Sequence, residues 1–201
     1  ATTEIYTLSL HDALPILIRG GKERMVLHMN EVIQNILNRR SWRSYEEKQI
    51  KEEELEQIIR CGLWAPSAMN QQSWHFTVVQ DKETIQRIRK GCQEMMETDR
   101  DMFYGAPTLV IVTGKQDNIA PVADCSLAIQ NMFLSAASLG IGSCWINCIG
   151  RYLTTPQGQA FAKDAGIPEG YIGVAGVILG YPKGEAPQGK ERVEGAVDYI
   201  R

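Results

Sequence analysis

Between Asp124 and Leu139 the chain is apolar almost all the way round a helical turn, and Ala123, Ala128, Ala136 and Ala137 are small enough to let other helices approach closely. A helix without a polar face has no side to offer to water, so it belongs at the centre of a fold with other elements packed around it. Those elements are legible on either side. Val32, Ile33, Ile36 and Leu37 follow helical spacing and lead into Arg39-Arg40-Ser41. A second helix is predicted from about Lys51, with Glu52, Glu53 and Glu54 complementing its N-terminal dipole, Leu55, Ile58, Ile59 and Leu63 as its buried stripe, and Pro66 as its stop.

Trp74 to Gln80 alternates and reads as a strand, followed by a helix with Ile85, Ile88, Cys92 and Met95 on one face. Leu109-Val110-Ile111-Val112 reads as a buried strand. Gly140 stops the central helix. Ser143 to Ile149 is predicted as a strand, Pro156 to Ala165 as a helix and Tyr171 to Leu179 as a strand. Helices and strands are mixed without strict βαβ alternation, which predicts an α+β fold with helices on one mixed sheet. The tail, Lys183 to Arg201, is polar and glycine-rich and is expected to wrap over the surface.

With 201 residues the chain is expected to form one domain. A net charge of -3 with both signs interspersed argues against a nucleic-acid footprint. The apolar runs Thr108 to Val112 and Val174 to Leu179 fall far short of the ~20 residues of a membrane span. Five cysteines without a C-x-x-C pair fit reduced thiols in a cytoplasm, and three histidines, two of them before Met29, argue against a histidine metal site or a catalytic triad. No metal is expected. Residues 1–28 make a poor export signal, because no cation precedes Ala13-Leu14-Pro15-Ile16-Leu17-Ile18 and Pro15 interrupts it. Tyr6 to Ile16 resembles translated sequencing-adapter read-through, so 1–28 is expected to be a non-native or disordered extension and 29–201 the working domain.

Two segments carry candidate chemistry. Arg39-Arg40-Ser41-Trp42-Arg43 gathers three guanidiniums, whose planar forks suit phosphate, around a hydroxyl; its bland alternative is a solvated basic helix end. Pro66-Ser67-Ala68-Met69-Asn70-Gln71-Gln72 offers amides that both donate and accept; its bland alternative is a polar turn before the next strand. Together they read as two sides of a pocket for a planar, phosphate-bearing ligand, with flavin mononucleotide (FMN) the first to consider. Gly140-Ile141-Gly142-Ser143 follows a helix and is no dinucleotide fingerprint. Cys144 and Cys148 read as small core residues, and Asp124 as a carboxylate at a helix N-terminus. Trp64 and Met69 are open between pocket wall and core packing.

The order R-R-S-x-R, P-S-x-x-N-x-Q-x-W, Gly105-Ala106-Pro107 before a strand, Ala136 to Trp145, Gly180-Tyr181-Pro182 and K-x-R resembles the FMN-dependent nitroreductase family, in its short single-domain members, from about Met29 to Arg192. The resemblance implies a mixed, mainly antiparallel sheet flanked by helices in an intertwined homodimer with FMN at the interface. It implies that Arg39, Arg40 and Ser41 hold the phosphate and ribityl end, with Lys190 and Arg192 from the tail. Arg43 would lie by the flavin pyrimidine and stabilise charge on the reduced ring. Pro66, Ser67, Ala68, Asn70 and Gln72 would reach the flavin from the other subunit, and Trp145, Ile146 and Asn147 would pass beside the ring. Ser73 departs from the family's usual proline. The activity implied is NAD(P)H-dependent reduction of nitroaromatics, quinones or similar flat electrophiles by ping-pong hydride transfer, without a catalytic side chain of its own. The alternatives are a flavin-storage protein with little turnover, or a flavin-dependent dehalogenase or ene-reductase on the same scaffold.

Overall fold

The computed structural model describes residues 30–201, so the expected boundary before Met29 lies outside the described residues. The chain divides into two units, Ala1–Asn38 and Arg39–Arg201. The described part of the first is helix α1, Glu31–Asn38, which buries none of its residues and is entered through Asn30, whose Oδ1 accepts from Ile33 N at 3.0 Å.

The second unit is built on a four-stranded antiparallel sheet in the order β1-β2-β4-β3, with β1 at Trp74–Val79, β2 at Thr108–Lys115, β3 at Gly142–Ile146 and β4 at Tyr171–Gly180. One isolated pairing, Ser41 with Ser143, is parallel. Alternate residues of β2 explain its unbroken apolar run. Val110 and Val112 join a core with α2 (Glu52–Leu63) and α4 (Pro121–Ser138), whereas Leu109 and Ile111 join a second core with α3 (Lys82–Met96), α5 (Cys148–Tyr152) and α6 (Pro156–Asp164). A strand covered by helices on both faces has no polar side to show.

Three sequence expectations change in detail. In α2 the buried stripe is Leu55, Ile58 and Gly62, while Leu63 is exposed. Gly62 takes the inner position because α4 crosses there: a Cβ on it would meet Met132 Cε at 2.5 Å and Phe76 Cε2 at 3.3 Å. The strand expected to reach Ile149 ends at Ile146, where pairing with β4 stops at Gly176, and Cys148 to Tyr152 form α5. That helix lies directly on β4, since a Cβ on Gly150 would touch Gly173 O at 2.9 Å. Finally, α4 is buried along Asp124, Cys125, Ala128, Ile129, Met132, Phe133 and Ala136 only; Ala123 and Val122 are exposed and Leu127 is 46% exposed. The helix is central on one side and shows apolar residues on the other.

Candidate functional site

The segment 39–43 is laid along β3. Trp42 N donates to Ser143 O at 3.0 Å, and Tyr45 Oη donates back to Trp42 O at 2.8 Å. This close approach needs Gly142, whose Cβ would meet Trp42 Cβ at 3.0 Å and Tyr45 Cε1 at 3.1 Å. Arg39 is half-buried with its guanidinium carbon 5.7 Å from the Phe133 ring centre on α4. Arg40 Nη1 donates to Arg39 O at 2.9 Å, and the tail packs so tightly on Arg40 that a Cβ at Gly189 would meet its Nη2 at 2.6 Å. Burial lowers the Arg39 pKa, and the neighbouring charges of Arg40 and Arg192 lower it further. A half-buried guanidinium whose charge is disfavoured by its surroundings is one that an anion would relieve. Of the cations expected at the phosphate end, Arg39, Arg40 and Arg192 lie near one another although the last is distant in sequence. Lys190 takes part through its carbonyl, which accepts from Arg192 Nη1 at 3.4 Å, while its side chain is exposed.

Beyond Ser41 the same segment leads to a cavity of about 210 Å³ lined by Met96, Met102, Tyr104, Trp145, Ile146, Asn147, Cys148 and Arg151. Three of the residues expected beside the flavin ring, Trp145, Ile146 and Asn147, thus line one space. Trp145 Nε1 donates to Asn147 Oδ1 at 3.4 Å. Arg43 reaches the rim, its guanidinium carbon 5.9 Å from the Tyr104 ring centre, and Arg100 stands 5.9 Å from the same ring. Met96, Met102, Tyr104 and Arg151 were not foreseen. The only local signal was the loop itself, where Tyr104 (φ 54°) and Gly105 (φ 72°) turn the chain just before Pro107. Behind the cavity, Cys148 accepts a hydrogen bond from Cys92, which lowers the Cys148 pKa and raises that of Cys92. Both are buried, as is Cys144, in keeping with their reading as core residues.

The second expected segment, Pro66 to Gln72, is folded around a single 3-10 turn, Ala68–Asn70. Met69 (φ 54°), Asn70 (φ 55°) and Gln72 (φ 48°) are all left-handed, a conformation that asparagine tolerates and longer side chains rarely adopt. Ser67 Oγ accepts from Gln72 N at 2.9 Å, Gln72 Nε2 donates to Asn70 Oδ1 at 3.1 Å, and Ala68 N donates to Asp124 Oδ1 at 2.9 Å. Asn70 and Gln72 are exposed, as are Trp64 at 78% and Met69 at 80%, so core packing within the chain is excluded for the last two. Ser73 is buried with its Oγ unpartnered; its carbonyl accepts from Lys115 N at 2.9 Å.

The two segments are anchored at opposite ends of α4, one at Phe133 and one at Asp124. At ~1.5 Å of rise per residue their anchors stand roughly 14 Å apart. The cavity beside Trp145 is also smaller than the roughly 300–1,000 Å³ of a complete small-molecule site. One chain thus carries two separate polar surfaces: a cation cluster with a small cavity beyond it, and a strained amide loop turned outwards.

A helix-flanked antiparallel sheet of this order defines an α+β protein. Comparison gives its family: the Nitroreductase family profile matches residues 36–181, and the chain belongs to that family. A protein of Archaeoglobus fulgidus, named for a proposed NADH dehydrogenase/NAD(P)H nitroreductase activity, is 36% identical over 162 residues, covering 78% of this chain and 88% of its own. An FMN reductase [NAD(P)H] of Bacillus subtilis is 25% identical over 171 residues, covering 77% of this chain and 67% of its own. The crystal structure of a nitroreductase with bound FMN from Bacteroides fragilis superposes with a TM-score of 0.81 at 34% identity, over 86% of this chain and all of that one.

Proposed function

We propose that residues 29–201 form an FMN-dependent NAD(P)H oxidoreductase that acts as a homodimer and reduces nitroaromatics, quinones or similar flat electrophiles. The observation that carries this reading is the half-buried Arg39 guanidinium, packed over Phe133 beside Arg40, on which the tail closes at Gly189; such a pair suits the phosphate that distinguishes FMN from riboflavin. Relatives named as NAD(P)H nitroreductase and FMN reductase, and a similar structure with FMN bound, support it.

The bound FMN supplies the two-electron redox chemistry. The chain's own residues bind and orient it. The guanidiniums and Ser41 hold the anionic end, and Arg43 at the rim of the cavity favours negative charge on a reduced ring by simple electrostatics. Trp145, Ile146 and Asn147 wall the ring. Asn70 and Gln72, which are exposed in the single chain, serve the site of the other subunit. Nicotinamide and acceptor would use one place in turn, giving ping-pong kinetics. Among the described residues no helix is long and apolar enough to cross a membrane, and five free cysteines accord with a reducing cytoplasm.

The test is the visible spectrum of the protein after addition of FMN and removal of the excess, followed anaerobically by NADH or NADPH and then a quinone. A bound-flavin spectrum that bleaches with nicotinamide and returns with the quinone is the expected result. Bound flavin that neither nicotinamide bleaches overturns the oxidoreductase reading, and failure to retain any flavin overturns the site.

A further inference from the structure

Asp124 is only 2% exposed, although it lies near the start of α4 where a carboxylate serving the helix dipole would stand in water. A buried carboxylate needs hydrogen-bond donors to replace the water it has lost. Asp124 finds them on two other segments: Ala68 N donates to Oδ1 at 2.9 Å, and Asn118 Nδ2 donates to Oδ2 at 3.3 Å. The first bond is the informative one. Ala68 opens the 3-10 turn whose following residues Met69, Asn70 and Gln72 are left-handed. Such a loop holds its shape only when its surroundings over-determine it. The bond from Gln72 N to Ser67 Oγ closes the loop on itself, and the bond from Ala68 N to Asp124 ties it to α4, one of the most deeply packed helices of the fold.

We propose that Asp124 is a positioning residue for the cofactor: its carboxylate tethers loop 67–72 to α4 and holds Asn70 and Gln72 in the arrangement that meets FMN. This rests on the flavin reading above, and the test separates the two. FMN affinity is measured by quenching of flavin fluorescence, and amide hydrogen exchange of segment 66–73 is measured in the flavin-free protein, for the wild type and for Asp124→Ala, Asp124→Asn and Ala68→Pro. Asparagine keeps an oxygen for the Ala68 N–H and loses the charge, whereas alanine loses both. Proline at 68 removes the donor and leaves the carboxylate; the position follows an extended Ser67 and opens a helical turn, where proline is accommodated.

Asp124→Ala and Ala68→Pro are expected to weaken FMN binding about tenfold and to speed loop exchange by a similar factor, as the loss of a hydrogen bond to a charged group implies. Asp124→Asn is expected to stay within about threefold of the wild type. Asp124→Ala with wild-type affinity and exchange overturns the proposal. So does Asp124→Asn as weak as Asp124→Ala, because charge at the helix end would then be what matters. If Asp124→Ala fails to fold, Ala68→Pro breaks the same bond from the other side, and wild-type affinity there also overturns it. A wild type that binds no FMN defeats the flavin reading, while the exchange comparison still decides whether the tether exists.

Discussion

At the scale of single residues, the site is governed by how charges are kept apart from water. Arg39 is packed over Phe133 and crowded by Arg40 and Arg192, so its removal should be felt chiefly by a ligand that brings a phosphate. Arg39→Ala is expected to weaken FMN binding about tenfold or more while leaving riboflavin binding within about twofold, a difference read by parallel fluorescence titrations. The sequence made Arg39 and Arg40 visible because three arginines within five residues are unusual, whereas Arg192, far along a polar tail, was brought in only by the family resemblance. Asp124 was harder to read. Its place near a helix start suggested a solvated carboxylate, and only the fold, which brings Ala68 to it across fifty-six positions, shows a buried one bonded elsewhere. Tyr104 was silent for a similar reason: a lone aromatic in an irregular loop has no period to betray which cavity it lines.

At the scale of elements, most helices and strands were legible because their apolar periods are clean, and the misreadings occur where packing overrode pattern. Cys148 and Ile149 are buried like strand residues, yet the lack of a partner beyond Ile146 and the glycine contact between α5 and β4 make them helical. Leu63 looked like a continuation of the α2 stripe and yields its place to Gly62. The junction between α2 and the end of β4 carries a pH dependence. Tyr181 Oη donates to Glu54 Oε2 at 2.6 Å, and this bond, foremost among several causes, holds the Glu54 carboxyl below its usual range. A carboxylate whose folded pKa is depressed adds stability above its unfolded pKa of about 4.3 and loses it as pH falls through the lower folded value. Tyr181→Phe should therefore lower the Tm at about pH 6, and the difference should shrink as the pH falls below about 4.3, as followed by circular dichroism.

At the scale of the whole molecule, one set of exposed apolar residues falls together. Leu63, Trp64, Met69, Ile119, Val122 and Leu127 belong to the end of α2, the loop after it, and the approach to and first turns of α4, which is also where the amide loop faces outwards. A central helix was inferred from an all-apolar sequence, and the single chain buries only one side of it; the sequence alone could not say which apolar residues of the helix the chain would leave exposed. The anchoring of the two ligand-facing segments at opposite ends of α4 then has a genetic consequence. If each chain lends its cations to one site and its loop to another, two different defects can cure each other. At an FMN concentration that fills only intact sites, a chain carrying Arg39→Ala and a chain carrying Asn70→Ala would each be poorly active alone, yet every mixed dimer would contain one site with both halves intact and one with neither. Co-expression in equal amounts should restore about a quarter of the wild-type activity by random pairing. No restoration would mean that each chain builds its site from its own residues.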